Sequence, residues 1–237
     1  MRLPFHTSEA RTSAAAWVSL CIALSLVAYA ALYPADYITP LEFHVHPTTN
    51  LQESRNIPPE RIRSVVRISL PNSRGTGVAI GAHVVLTAAH VLGDAKTCDV
   101  HLFSDGGFRV LRGRVLYSEL DTDLTLIETD EPIPHTSALG VEQSHALVVG
   151  EPVCAIGAMM GNTPWNCSMG YFSGRGTLEP ANTLWQASSI VYMGNSGGPL
   201  FDTHTWSIVG IVVQAHGPSV GFVCADEVSG FLRRAAK

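Results

Sequence analysis

The chain has 237 residues, of which 46% are hydrophobic and only 15% are charged, and its formal net charge is −5. This hydrophobic fraction is enough to bury a sizeable core, so the composition excludes a disordered chain. The charges form no long run of either sign. A surface that binds phosphate groups needs clustered Lys and Arg, so we expect no nucleic acid partner.

The first predicted element is an uncharged apolar run over residues 14–33. About 20 helical residues span a hydrocarbon core of about 30 Å, so the run is long enough to cross a membrane. Arg2 and Arg11 precede it, whereas Asp36 and Glu42 follow it. Positively charged flanks stay in the cytoplasm. We therefore expect an extracytoplasmic location, in the periplasm or at the cell surface, for everything after the run.

Two interpretations of this N-terminal segment, residues 1–33, remain open. An uncleaved signal anchor would use the whole apolar run and hold the protein at the membrane. A cleaved signal peptide would use the small-x-small site at Ala28-Tyr29-Ala30 and would release the protein. The run is long for a signal peptide, which favours the anchor. A buried core helix is disfavoured because the segment is apolar on every side.

The rest of the chain divides into a linker, residues 34–60, and a β-rich domain, residues 61–237. Five prolines interrupt the linker and leave it without a clean periodicity. The domain breaks into short apolar runs separated by Gly, Asn, Asp and Pro, with almost no helical stretches between them. In one run, Cys98, Val100 and Leu102 share a face that Asp99 and His101 do not. This pattern predicts an all-β barrel or sandwich.

A single helix is predicted at the C-terminus. Val228, Phe231 and Leu232 follow the i, i+3, i+4 spacing of an apolar helix face. Acidic residues begin the segment at Asp226 and basic residues end it from Arg233, which complements the helix dipole.

Three motifs indicate nucleophilic catalysis. They are Leu86-Thr-Ala-Ala-His90 after an apolar strand, Asp123 at the head of another strand, and Gly194-Asn-Ser196-Gly-Gly-Pro. Each motif alone is typical of a turn or a structural residue. A serine hydroxyl needs an adjacent base, and a carboxylate behind an imidazole fixes its tautomer. Together, the motifs predict Ser196 as nucleophile, His90 as base and Asp123 as the orienting acid.

The glycines of the third motif predict an oxyanion hole. Glycine lets the backbone turn sharply beside the serine, so the amides of Gly194 and Ser196 could donate to one developing oxyanion. The sequence holds no His-Glu-x-x-His zinc pattern, and the pair at His44 and His46 in the linker is an incidental one. We therefore expect neither a metal nor a cofactor.

These motifs resemble those of the trypsin-like (chymotrypsin-fold) serine peptidases, in the chain order His, Asp, Ser. Within that family the sequence is most similar to the protease domain of the bacterial HtrA-type proteases, through stretches such as Gly75-Thr-Gly-Val and Val220-Gly-Phe. The resemblance covers about Ser64 to Leu232. It implies two six-stranded antiparallel β-barrels with the triad in the cleft between them, and protein or peptide substrates.

The sequence departs from the family at several positions. Val91 stands where animal digestive enzymes have a cysteine, and Asn195 stands where they have an aspartate that pairs with a newly cut N-terminus. HtrA-type proteases carry a peptide-binding PDZ module after the catalytic domain, and this chain ends at Lys237. We therefore expect that PDZ-regulated behaviour does not carry over.

The resemblance also implies where the primary specificity pocket lies. Its lining would be formed by Ile190, Val191, Tyr192, Val213, Gln214 and Ala215. The family places a charged residue six positions before the serine when it selects Arg or Lys, and here that residue is Ile190. Glutamate-selective relatives have a histidine at the position of Val213, although His216 is close by. An uncharged pocket predicts cleavage after Val, Ala, Leu or Ile.

Two further expectations concern the cysteines and the alternative function. Exported cysteines can form disulfides, and Cys154 and Cys167 flank a predicted hairpin, so we expect them to pair. The alternative to an active endopeptidase is a pseudoprotease, a binding module that keeps the barrels without turnover. The intact triad favours the enzyme, and a fluorophosphonate label would separate the two. The sequence does not indicate an oligomeric state.

Overall fold

The computed structural model describes six segments of the chain: residues 57–104, 107–158, 165–176, 184–188, 194–216 and 219–237. All of them belong to one compact unit, residues 48–237. The predicted membrane segment, residues 1–33, lies outside the described residues, and so does the predicted linker up to residue 56. Within the described segments, no helix is long and apolar enough to cross a membrane.

The first barrel is built from six antiparallel strands in the first half of the described chain. The strands are β1 Val65–Ser69, β2 Arg74–Gly81, β3 Val84–Ala88, β4 Thr97–Ser104, β5 Gly107–Glu119 and β6 Leu124–Thr129. They close in the order β1-β2-β3-β6-β5-β4. On β4, Cys98, Val100 and Leu102 are buried while Asp99 and His101 are partly exposed, which confirms the predicted alternation.

The second barrel repeats this architecture with six later strands. They are β7 Pro152–Gly157, β8 Asn166–Arg175, β9 Trp185–Ser188, β10 Pro199–Asp202, β11 Ile208–His216 and β12 Ser219–Cys224. They close in the order β10-β11-β12-β9-β8-β7, and every pair is antiparallel. The predicted all-β fold of two six-stranded antiparallel barrels is therefore confirmed.

The described residues also contain four helices. They are α1 Pro59–Ser64, α2 Ala89–Leu92, α3 Val141–Ala146 and α4 Ala225–Ala235. Helix α4 confirms the predicted C-terminal helix, and its Val228 and Phe231 are fully buried. Helix α1 begins ahead of the predicted domain start at Arg61, because Pro at a first helical position already has the required φ and Ile57 before it packs into the core.

The main hydrophobic core is shared by the two barrels. Ile68 and Leu86 of the first barrel belong to the same buried cluster as Ile156 and Phe201 of the second barrel and Phe231 of α4. The ring of Phe231 also contacts Tyr117 of β5, with 5.3 Å between the ring centroids. Burying a side chain such as Phe231 contributes about 1.5–3 kcal/mol to stability. Helix α4 therefore packs against both barrels.

Candidate active site

His90 lies on a single helical turn directly after a buried strand. Ala88, the last residue of β3, is extended with φ −79° and ψ 142°, and the chain then turns into α2. Gly93 ends this turn with φ +53°, a backbone conformation that glycine adopts without steric cost. Val91 and Leu92 are buried while the His90 side chain is 47% exposed. The strand and the buried neighbours thus fix the backbone from which the imidazole projects.

Asp123 accepts two hydrogen bonds from His90 and a third from the residue before it. One carboxylate oxygen, Oδ2, accepts the Nδ1–H of His90 at 2.6 Å, and Oδ1 accepts the backbone N–H of His90 at 2.8 Å. The Asp123 carbonyl accepts the backbone N–H of Ala89 at 3.0 Å. Asp123 has φ +53°, a left-handed conformation that Asp tolerates better than most residues. Both the ring and the main chain of His90 are therefore oriented by one carboxylate.

This pairing also sets the protonation behaviour of His90. The hydrogen bond to Asp123 raises the pKa of His90 above its ordinary value of 6.5. Partial burial acts in the opposite direction, and the negative charge of Asp123 adds to the increase. With Nδ1–H committed to the carboxylate, Nε2 is the ring nitrogen left to act as a base.

Ser196 lies in a tight turn, residues 194–197, that needs a glycine at each end; we call it the serine turn. Gly194 and Gly197 have φ values of +102° and +82°. A Cβ on Gly197 would overlap the Thr87 hydroxyl and lie 2.8 Å from the backbone nitrogen of Ala88, so no side chain fits there. The Gly197 N–H donates to the Val212 carbonyl at 2.7 Å, which anchors the turn to β11.

The same contacts bring the serine turn against the elements that carry His90. Gly197 packs on Ala88, two residues before His90. A Cβ on Gly75 of β2 would lie 2.6 Å from the Val91 side chain and 3.1 Å from the Ser196 carbonyl, so Gly75 is a close packing point between α2 and the serine turn. The structure therefore places the turn that carries Ser196 against the elements that carry His90, where the two barrels meet, and Asp123 is hydrogen-bonded to His90.

Thr76 connects the serine turn to the first barrel, and the sequence motifs did not assign it a role. Its backbone N–H donates to the Ser196 carbonyl at 2.8 Å. Its fully buried hydroxyl donates to the Gly194 carbonyl at 2.5 Å and accepts the N–H of Ala158 at 2.7 Å. The Thr87 hydroxyl in turn donates to the Thr76 carbonyl at 2.6 Å. The only sequence signal was a hydroxyl between two glycines at the start of a strand.

Asn195 is buried beneath the turn. The residue is 1% exposed, and its side chain lies under Gly157. A Cβ on Gly157 would lie 2.6 Å from the Asn195 Oδ1. Neither its Oδ1 nor its Nδ2 has a hydrogen-bond partner among the described residues. A carboxylate in this position would need a cation to compensate its burial, whereas the neutral carboxamide costs less.

The predicted specificity pocket is described only in part. Ile190, Val191 and Tyr192 lie outside the described residues. Val213 is 9% exposed and lies at a register shift in the β11–β12 pairing, which is a β-bulge. Gln214 is half-buried and its side chain lies over Gly221, while the backbone of Ala215 pairs with Val220.

The sequence of the chain is similar to those of known serine endoproteases. Residues 75–211, more than half of the chain, match the trypsin-like peptidase domain family. A probable periplasmic serine endoprotease, DegP-like, from Pseudomonas putida (strain W619) is 35% identical over 155 residues, which is 64% of this chain and 31% of that protein. Protease Do-like 1, chloroplastic, from Arabidopsis thaliana is 28% identical over 180 residues, 70% of this chain and 40% of that protein. The chain thus spans about a third of the length of these relatives.

Solved structures share the fold. The inactive form of the Rv3671c protease superimposes with a TM-score of 0.65 at 21% identity, covering 75% of this chain and 91% of that one. Deg5 superimposes with a TM-score of 0.65 at 22% identity, covering 77% of this chain and 93% of that one. The family match, the DegP-like relatives and the double barrel agree: the chain belongs to the trypsin-like peptidase domain family and is homologous to the DegP-like serine proteases.

Proposed function

We propose that this chain is a serine endopeptidase that hydrolyses peptide bonds in proteins or peptides through His90, Asp123 and Ser196. The observation that carries the proposal is the pair of hydrogen bonds through which Asp123 orients His90. One carboxylate orients both the ring and the backbone of the histidine, on an element packed against the Ser196 turn. A structural histidine has no need of this arrangement, whereas a general base does.

The reaction follows from the roles of these three side chains. The Ser196 oxygen attacks the scissile carbonyl carbon while its proton passes to Nε2 of His90. The resulting imidazolium is stabilised by Asp123 and then gives its proton to the leaving amine, so the peptide C–N bond breaks and an acyl-enzyme remains. Water attacks this ester with the same proton relay and restores the Ser196 hydroxyl.

The oxyanion of each tetrahedral intermediate is proposed to bind the amides of Gly194 and Ser196. The positive φ of Gly194 supports this role, because it turns the backbone sharply just before the serine. The Thr76 bond to the Gly194 carbonyl further supports it, since this bond restrains the turn before the substrate arrives. Each such donor contributes about 3–4 kcal/mol to transition-state stabilisation in related enzymes.

The proposed substrate preference is for small or medium apolar residues at the cleaved position. Val213 is nearly buried and uncharged, and Ile190 is the corresponding apolar residue before the serine. A Lys or Glu side chain buried there without a partner would cost several kcal/mol. Peptide-library profiling should give cleavage after Val, Ala, Leu or Ile. A profile dominated by Arg, Lys or Glu would contradict the assigned pocket.

The site is proposed to act outside the cytoplasm. Its DegP-like relatives from two Pseudomonas putida strains are described as probable periplasmic endoproteases. The apolar run at residues 14–33 with its basic N-terminal flank supports the same location, either as a membrane anchor or as a secretion signal.

A fluorophosphonate probe tests the proposal directly, because it reacts only with an activated serine. The full chain should be labelled at Ser196, identified by peptide mass mapping, and should hydrolyse a peptide library. Ser196→Ala should lose both signals, with a loss of kcat on the order of 10⁶. Ser188→Ala, which changes an exposed serine on β9, is the matched control and should keep both. A folded chain that the probe does not label would instead support the pseudoprotease.

A further inference from the structure

Cys154 and Cys167 bring two thiols into direct contact on neighbouring strands. Their sulfur atoms are 2.7 Å apart, and both are free thiols in this structure. In the β7–β8 pairing, Cys154 lies opposite Met169 and Cys167 lies opposite Ile156, so the two cysteines are diagonal neighbours on one face. Strand pairing rather than chance contact therefore fixes the position of the two sulfurs.

The two thiols differ in exposure and acidity. Cys154 is fully buried, whereas Cys167 is half-buried. The contact between the two thiols lowers the pKa of Cys167, and the same contact together with burial raises the pKa of Cys154. By contrast, burial raises the pKa of Cys98 to about 11 and also raises the pKa of Cys224. Cys167 is the more accessible of the two thiols, and thiolates are the reactive species, so we expect Cys167 to attack and Cys154 to resolve.

Strand β7 leads from this pair straight to the support of the serine turn. Ile156 presents its carbonyl to Gly198, where a Cβ would lie 2.6 Å from that oxygen. Gly157 packs on the buried Asn195 side chain, and the Ala158 N–H donates to the Thr76 hydroxyl that holds Gly194. Residues 156–158, at the end of β7, thus form the floor of the serine turn. A bond that restrains β7 near Cys154 therefore also restrains this floor.

We propose that Cys154 and Cys167 are a redox-sensitive site that closes to a reversible disulfide and braces the floor of the serine turn. The oxidant is a small-molecule disulfide of the glutathione type. The Cys167 thiolate attacks one of its sulfurs, breaking that S–S bond and releasing one small thiolate, which takes up a proton. Cys154 loses its proton and attacks the Cys167 sulfur of the mixed disulfide, releasing the second small thiolate. Two protein thiols are oxidised and one small disulfide is reduced to two thiols.

Thiol mapping of the full chain in a mild detergent tests the bond itself and requires no enzymatic activity. The protein is equilibrated in glutathione buffers from fully reduced to fully oxidised, denatured with an alkylating reagent and digested for mass analysis. In the oxidised buffers we expect a Cys154–Cys167 linked peptide, while Cys98 and Cys224 remain alkylated. Alkylation of both Cys154 and Cys167 at the oxidised end, or their linkage to other cysteines, would overturn the proposal.

Thermal unfolding and hydrogen exchange test the bracing. The closed loop between the two cysteines should raise the Tm of the oxidised protein by roughly 6–12 °C over the reduced protein. The amides of Ala158 and Gly197 should exchange more slowly in the oxidised form. Cys167→Ala should abolish both differences, and Cys224→Ser, the matched control, should keep them. Equal Tm and equal amide exchange in the oxidised and reduced proteins would show that the disulfide does not restrain the serine turn.

Discussion

Asp123 accepts two hydrogen bonds from the proposed base, and each of its two carboxylate oxygens has a different partner. An asparagine has the same shape but one oxygen is replaced by an NH₂ donor. In Asp123→Asn, the NH₂ group can replace the oxygen that accepts the Nδ1–H, and the imidazole then adopts the tautomer that carries its proton on Nε2. We expect kcat to fall on the order of 10⁴-fold while the fold is retained. Asp121→Asn, an exposed neighbour, should change kcat only slightly in the same assay; equal losses in both variants would remove Asp123 from the triad.

The pKa of His90 predicts the acid limb of the pH profile. The protonated imidazole cannot take the Ser196 proton, so kcat/KM should rise with pH as His90 loses its proton. Because the Asp123 hydrogen bond raises this pKa, the midpoint in the free enzyme should lie above 6.5. The residual activity of Asp123→Asn should titrate at a lower pH, since the negative charge and the carboxylate bond are gone. A wild-type midpoint below 6.5 would contradict the pairing.

Thr76 is expected to act as a positioning residue for the Ser196 turn. Thr76→Val keeps the shape but removes the hydroxyl that joins the Gly194 carbonyl to the Ala158 amide. We expect kcat to fall about 10- to 100-fold with KM little changed, less than the roughly 10²–10³-fold loss on removing an oxyanion donor itself. Thr76→Ser keeps the hydroxyl and should restore most of kcat. If the serine variant is as impaired as the valine variant, the hydroxyl does not position the turn.

At the scale of elements, helix α4 is connected to the first barrel by an ionic contact at its exposed end. Arg234 donates to both carboxylate oxygens of Glu119, the last residue of β5, at 2.9 and 2.6 Å. This contact lowers the pKa of Glu119 below its ordinary value of 4.5. The stabilisation is therefore fully present above pH 4.5 and is lost as the pH falls through the lowered pKa.

Glu119→Gln should loosen α4 without unfolding the barrels. Solvent-exposed ion pairs stabilise weakly, so we expect the amides of α4 to exchange about two- to five-fold faster at neutral pH. Glu128→Gln is the matched control, because Glu128 pairs with Arg114 on the adjacent strand and does not reach the helix. Faster exchange in α4 in both variants, or in neither, would show that the Glu119–Arg234 contact does not hold the helix.

The elements also show what the sequence could predict. Long runs with clear alternation, such as β4, and the amphipathic helix α4 were predicted because their periodicity is local. Strands β9 and β10 have four residues each, which are too few to show a period in the sequence. Helices α1, α2 and α3 have at most six residues and were not predicted for the same reason.

In the candidate site, too, the residues in local motifs could be predicted, whereas those that act through long-range contacts could not. Each of His90, Asp123 and Ser196 lies in a short contiguous motif, so the motifs could be read one by one. The role of Thr76 depends on hydrogen bonds to Gly194 and Ala158 across 118 and 82 residues of chain. Such contacts exist only after the two barrels have packed, and no local pattern of residue types records them.

At the scale of the whole molecule, the two barrels depend on each other for the site. The first barrel supplies His90, Asp123 and Thr76, while the second supplies the serine turn and its support in β7 and β11. The shared core and α4 join the two barrels mechanically. Changes in packing at this junction should therefore alter activity before they unfold either barrel.

The location of the whole molecule depends on its apolar N-terminal run. If residues 14–33 enter the membrane with Arg2 and Arg11 on the cytoplasmic side, the barrels are exported. In a bacterial host, an external protease added to spheroplasts should digest the wild-type chain but spare a cytoplasmic marker. The variant Leu24→Arg with Val27→Arg places two charges in the apolar run, at a cost of about 2.5–3.5 kcal/mol each at the membrane centre, and should stay protected. Mass analysis of the mature N-terminus then separates an intact anchor from cleavage after Ala30. Wild-type protein as well protected as the marker would contradict export.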